Sequence, residues 1–284
     1  MSGVELQELL FAHLKQSLLW LPVYGLLFGA LAAVAPNIPG QKIWRAGTGT
    51  DLLYWFLTPP FYTLLYLLTA HAILQGAYGR SAQQARDYIN EGSDWLAALP
   101  LAVQAIGVLL VSDLLQYWLH RLLHRAPLWR FHAIHHSPRE LDWLSSSRFH
   151  PVNYYLSFTL PAVLFALIGV PAQTFLILAG FNAAFSYLVH ANLNWTFGPA
   201  RYLFASPVFH RWHHTSEAEG LNRNFAPTFP FIDLVFGTFF MPPRMPARFG
   251  IDDSVPVSFT GQMFYPFRRR TMGAGGAARP NQIP

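Results

Sequence analysis

The pattern of apolar and polar positions divides the chain into long hydrophobic blocks separated by short polar loops. Residues 17–36 form a block without charge, and residues 52–78 form another, with Pro59-Pro60 expected to kink or break it. Residues 99–119 carry a single charge, Asp113. Residues 154–170 and 173–189 follow, joined by Gly169-Val170-Pro171-Ala172, and read as a tight helical hairpin. A membrane-spanning helix needs about 20 mostly apolar residues, so the pattern predicts an all-α, multi-pass membrane bundle of five spans, or of four with one early block re-entrant or peripheral. Trp20, Tyr54, Trp55, Trp118 and Trp195 fall near block ends, where aromatic belts form.

Composition agrees with a bilayer as solvent. Of 284 residues, 52% are hydrophobic and 12% charged, against about 25% charged in soluble domains. The net charge of +5 comes from residues scattered around the apolar blocks, which fits the positive-inside bias of a membrane protein rather than a nucleic-acid surface. Arg121, Arg125, Arg130, Arg139 and Arg148 follow the third block and Arg268, Arg269 and Arg270 lie in the C-terminal tail; their excess is expected to place the segment 120–148 and the C-terminus in the cytoplasm. A cleavable signal peptide is not expected, and residues 273–284, rich in Gly, Ala and Pro, are expected to be disordered. The organisation follows as N-terminal membrane helices over 1–98, a core over 99–240 with its membrane hairpin at about 154–190, and a C-terminal extension over 241–284.

The absence of cysteine removes disulfides, cysteine-ligated clusters and thiol nucleophiles. Histidine carries the candidate chemistry. Eight of the twelve histidines form three clusters: His120 with His124, His132 with His135 and His136, and His210 with His213 and His214. Residues three or four apart lie on one helix face, so each cluster is expected to present its two or three imidazoles to one point. His190 stands alone between them, in His190-Ala-Asn-Leu-Asn194. Neutral imidazole suits iron, copper, nickel and zinc. A single zinc takes three or four protein ligands, whereas these clusters and His190 supply enough for two ions. His13 is expected to be solvated and His71 to pack or make a polar contact within its helix.

The same residues resemble the fatty acid hydroxylase and sterol desaturase superfamily of membrane di-iron enzymes. The resemblance runs from about Asp113 to Thr238. It rests on the His120–His124 box, His132-Ala-Ile-His135-His136-Ser137, Arg148-Phe-His150-Pro151, His190-Ala-Asn192, His210-Arg-Trp-His213-His214-Thr215, Asn224-Phe225 and Asp233-Leu-Val-Phe-Gly237-Thr238, in that order. It implies about four spanning helices under a cytoplasm-facing cap that holds two iron ions, with zinc as a possible substitute, and dioxygen as co-substrate. It implies His120, His124, His132, His135, His136, His190, His210, His213 and His214 as ligands. Where some relatives carry a second histidine beyond the one matching His190, this chain has Asn194, so Asn194, His150 or water is the candidate to complete that ion's coordination.

Ligating histidines usually pass their second N–H to a carboxylate or carbonyl. Asp113, two helical turns before His120, is one candidate for that position, the alternative being a charge paired with Arg. Asp233 is the next, and Asp142 and Glu140 are weaker ones that solvent can satisfy. Flavin, haem and iron–sulfur motifs are not evident, so electrons are expected from a separate protein. The clusters lie where spans end, so a lipid can reach them from the bilayer. The expected activity is hydroxylation of a lipid C–H bond. A lipid desaturase of the sterol-desaturase type and a non-catalytic membrane metal-binding protein are the alternatives. A zinc hydrolase of the His-Glu-x-x-His kind lacks its motif here.

Overall fold

The computed structural model describes residues 3–76, 78–251 and 254–268, and every regular element among them is helical. Arg269, Arg270 and the segment 273–284, for which disorder was expected, lie outside the described residues. In chain order the helices are α1 (Gly3–Val34), α2 (Thr48–Gly76), α3 (Ala82–Glu91), α4 (Asp94–Ala97), α5 (Leu101–Leu123), α6 (Trp129–His136), α7 (Pro151–Tyr154), α8 (Leu160–Leu167), α9 (Ala172–His190), α10 (Pro207–His213), α11 (Phe231–Val235) and α12 (Phe259–Phe264).

Four of these, α1, α2, α5 and α9, are long and apolar enough to cross a membrane. Their outer faces carry large exposed apolar side chains, among them Phe11 at 70% and Leu26 at 77% exposure. Contiguous apolar surface of that kind needs a hydrocarbon solvent. Pro59 and Pro60 do not break α2, which runs through both. The Thr63 hydroxyl donates to the Pro59 carbonyl at 3.0 Å, and neighbouring helices and side chains commonly restore backbone satisfaction around proline inside membranes. His71 makes the expected polar contact within its helix, Nδ1 against Leu67 O at 2.8 Å.

The short block is the fourth in chain order, not an early one. Its apolar helix covers Pro151–Leu167 and consists of α7 and α8 joined by a π turn over Tyr155–Thr159. This leg nonetheless joins the two ends that the long helices join. It leaves the histidine end at His150, and at the other end Gly169 O accepts the Ser93 N–H at 2.8 Å while the Tyr88 hydroxyl donates to Leu167 O. Gly169 has a φ of +89°, and a Cβ there would lie 2.6 Å from Ser93. Glycine is therefore the residue that lets this turn sit against the α3–α4 junction.

The other end is a cap built from α6, α10, α11, α12 and the loops between them. The first loop of the chain is tied into it. The Ile38 N–H donates to Asn192 Oδ1 at 2.9 Å. Arg45 bonds Asp51 and Asp142, and Arg148 bonds Asp51. Asp142, for which solvent was an expected partner, instead shares Arg45 and caps the turn Trp143–Ser147 through the Leu144 N–H. The Glu140 side chain is exposed, and only its backbone carbonyl takes part, accepting from Arg45 Nε.

Candidate metal centre

All nine histidines of the expected ligand set come together in the cap, in two adjacent groups. One holds His120, His124, His132, His136 and His213; the other holds His135, His190, His210 and His214. Within each group one ring nitrogen per residue lies within 4.8 Å of all the others. Apart from His120, which is half-buried, all are buried. The rings of His136 and His214, one from each group, stack at 4.4 Å, so the two groups are neighbours.

The structure changes the expected grouping. Each His-x-x-His-His cluster does not face one point but divides between the groups: His132 and His136 go to one and His135 to the other, while His210 and His214 go together and His213 apart. The helical period explains this. At 3.6 residues per turn, position i+4 lies about 40° from i on one side and i+3 about 60° on the other. The i and i+4 rings therefore converge, and the i+3 ring points across to the neighbouring group.

The hydrogen bonds set the ring tautomers. His120 Nδ1 lies 2.8 Å from Phe225 O, His190 Nδ1 2.7 Å from Ser186 O, and His213 Nδ1 2.8 Å from Arg223 O. A carbonyl only accepts, so these Nδ1 atoms carry the proton and Nε2 presents a lone pair. The Nε2 atoms meet one another: His120 to His132 at 3.0 Å and His132 to His136 at 3.1 Å in one group, with His135 to His190 at 3.2 Å, His190 to His210 at 3.0 Å and His210 to His214 at 3.2 Å in the other. His190 Nε2 has two such neighbours and one lone pair, so they cannot all be hydrogen bonds. His213 Nε2 is buried without a hydrogen-bond partner.

Lone pairs that face one another in a dry site suit a cation between them. Two nitrogens each about 2.1 Å from an ion and at right angles lie about 3.0 Å apart, the spacing seen here. Burial, then the neighbouring imidazoles, hold His132, His136, His210 and His214 well below the ordinary imidazole value; His135 and His213 are lowered in the same way. The rings are thus neutral donors, and the set could hold two borderline transition-metal ions.

The four polar residues expected around the ligands hold other positions. Asp233 accepts the N–H of Phe225 at 2.7 Å, that of Ala226 at 2.9 Å and the Thr238 hydroxyl at 2.6 Å. It thereby fixes the carbonyl that holds His120, one residue removed from the expected direct bond. Burial pushes its carboxyl up to about 6 against the pull of these donors. Asp113 bonds neither a histidine nor an arginine; it accepts the N–H of Thr228 and Phe229, both at 2.8 Å. Asn194 is exposed, with its N–H on Ala35 O, and belongs to neither group. His150 caps α7 through the Val152 N–H and sets Nε2 against Met263 O, so it completes no coordination. Its box does serve the site otherwise: Phe149 stacks on the His135 ring at 4.4 Å, and Arg148 holds Asp51.

Three contributors carried no sequence signal beyond an ordinary polar residue. Asn153 Oδ1 meets His132 Nδ1 and Asn222 Oδ1 meets His124 Nδ1, each at 3.1 Å. Arg211 is fully buried beneath the second group, with Nε on Asn37 Oδ1 at 2.7 Å and Nη1 on Leu141 O at 2.9 Å and His190 O at 3.2 Å. Burial brings its pKa down to about 9, so it stays charged at neutral pH. A cavity leads from the rings of His120, His132, His135, His190 and His210 into the membrane-spanning region between α5, α9 and the π turn.

Comparison with known proteins places this geometry. The family model described as fatty acid hydroxylase matches residues 105–238. The chain is 30% identical over 259 residues to the ornithine lipid hydroxylase of Rhizobium tropici, an alignment covering 89% of this chain and 77% of that protein. It is 28% identical over 126 residues to the alkylglycerol monooxygenase of Homo sapiens, covering 43% of this chain and 27% of that protein. It is 32% identical over 139 residues to a very-long-chain aldehyde decarbonylase of Oryza sativa subsp. indica, covering 44% and 22%. No solved structure gives a significant match.

Proposed function

The chain belongs to the fatty acid hydroxylase family, and from that premise we propose that it hydroxylates a membrane lipid at a C–H bond, with two iron ions, dioxygen and electrons from a separate protein. The observation that carries this reading is the convergence of nine imidazoles in two adjacent groups at the inner end of an intramembrane cavity. His120, His124, His132, His136 and His213 would hold one ion and His135, His190, His210 and His214 the other. Bound iron would supply reductive activation of dioxygen for attack on a C–H bond.

The protein's own part is positioning. Carbonyls of Phe225, Ser186 and Arg223 keep Nδ1–H of their histidines engaged, so that Nε2 stays available as a donor. Phe149, Phe158 and Phe185 line the cavity beside the histidines, which keeps water from the reacting centre. The cavity extends between α5, α9 and the π turn at membrane depth, so a lipid substrate would reach it from the bilayer. The excess of Arg around 120–148 supports a cytoplasmic cap, where a soluble electron donor can dock.

The test is expression in a host whose lipid extract is compared by mass spectrometry with and without the gene. Gain of one oxygen by a lipid is expected; loss of two hydrogens would mean desaturation instead. His135→Ala and His213→Ala should each abolish the change and lower the iron content of the purified protein. Lipid conversion by iron-loaded protein without oxygen, or an unchanged iron content in both variants, would overturn the reading.

A further inference from the structure

The two spans that deliver His120 and His190 each carry a track of uncharged polar side chains. On α5, Ser112 and Gln116 precede His120 at intervals of four; on α9, Asn182 and Ser186 precede His190 at the same interval. Residues four apart share a helix face. Each track therefore runs toward its imidazole, from a start about 12 Å away at 1.5 Å per residue. All four side chains line the cavity, and Ser157 joins them from the π turn Tyr155–Thr159. Such turns recur at functional sites, where they redirect a side chain from its helical course.

The tracks are only partly satisfied by the protein. Gln116 Nε2 donates to Ser112 Oγ at 3.2 Å. The Asn182 amide and the Ser157 hydroxyl have no hydrogen-bond partner among the described residues. At this depth of a bilayer there is no bulk water to supply one, and polar side chains there mark the path of a substrate or ion. A proton route has to reach bulk water, whereas these tracks stop midway along α5 and α9. The one carboxylate in the wall, Asp113, is already taken by the N–H of Thr228 and Phe229. An uncharged group is therefore the better match than an amine or an acid.

We propose that the cavity selects lipids whose buried portion carries a neutral hydrogen-bonding oxygen, a hydroxyl or an ester or amide carbonyl, held by Asn182 and Ser157 while the C–H bond to be attacked lies against the histidines. Asn182 and Ser157 are then specificity-determining residues, and a plain hydrocarbon is a poor ligand. The placement of the reacting C–H rests on the lipid hydroxylase reading; the selectivity of binding does not.

The experiment follows binding, not turnover. Full-length detergent-solubilised protein is titrated with N-methylpalmitamide or with hexadecane, and the thermal unfolding midpoint is recorded. The amide is expected to raise the midpoint at concentrations where hexadecane does not. Asn182→Leu should weaken the amide's apparent affinity about tenfold, the loss expected for one hydrogen bond, without weakening any hexadecane response. Ser157→Ala, a smaller change that serves also if the Asn182 variant does not fold, should weaken it about threefold. Equal responses to the two probes in the wild type, or an amide preference unchanged in the variants that fold, would overturn the proposal. Retained preference for the amide in a protein that oxidises no lipid would instead sink the hydroxylase reading and leave this one standing.

Discussion

Replacing Asp233 by Asn isolates the role of a carboxylate that touches no ligand. The two side chains have the same shape, but one oxygen becomes an NH2 group. If Oδ1 is retained, it keeps the Phe225 N–H at 2.7 Å and the Thr238 hydroxyl at 2.6 Å, and the new NH2 faces the Ala226 N–H that Oδ2 accepted at 2.9 Å. One buried charge-assisted bond is lost and a donor faces a donor. A bond to a charged group contributes about 1.5–3 kcal/mol, so a loss of about 2–3 kcal/mol is expected. The Phe225 carbonyl that holds His120 Nδ1 at 2.8 Å then loses part of its anchor, and supporting partners of this kind typically change metal affinity about 10–100-fold. Asp233→Ala strands both N–H groups and should cost more, about 3–5 kcal/mol. Thermal unfolding in detergent reads the first effect, and iron retention against a chelator the second. An Asp233→Asn protein with wild-type midpoint and wild-type iron retention would refute the link from carboxylate to loop to ligand.

Two further outcomes are expected. The six cap histidines held well below 6.5 by burial bind fewer protons folded than unfolded, so the metal-free protein should be most stable above about pH 6.5 and lose stability as pH falls below it, by up to about 1.4 kcal/mol per pH unit for each ring; an unfolding midpoint of the stripped protein that stays flat between pH 8 and pH 5.5 (about the window where the rings take up protons on unfolding) would contradict this. Gly47 has a φ of +93°, and a Cβ there meets the Arg148 guanidinium that bonds Asp51, so Gly47→Ala should cost about 2–4 kcal/mol, while Gly49→Ala, in open space, should cost nothing; equal thermal midpoints for the two variants would count against a buried Arg148–Asp51 tie.

The apolar blocks made the helices legible because a bilayer imposes one rule along their whole length. The histidine boxes made the centre legible because nothing else requires that many imidazoles at helical spacing. The sequence does not reveal how each box divides, since His135 and His136 differ in destination only through a rotation about the α6 axis. Nor does it reveal the supports of the rings, because several are backbone carbonyls, Phe225, Ser186 and Arg223, and a carbonyl has no letter. Asp113 and Asp233 were recognisable as important and mistaken in their partners for the same reason: both act on main-chain N–H groups of the segment 225–229. The π turn that brings Ser157 into the cavity wall is likewise invisible in a run of apolar and aromatic residues.

Because α6 and α10 each send side chains to both histidine groups, each acts as a stiff strut between them. The separation of the two groups is then fixed by the pitch of two short helices rather than by the loops around them. An insertion of one residue within either box would not simply displace one imidazole; it would move rings from one group to the other and alter the spacing between the groups.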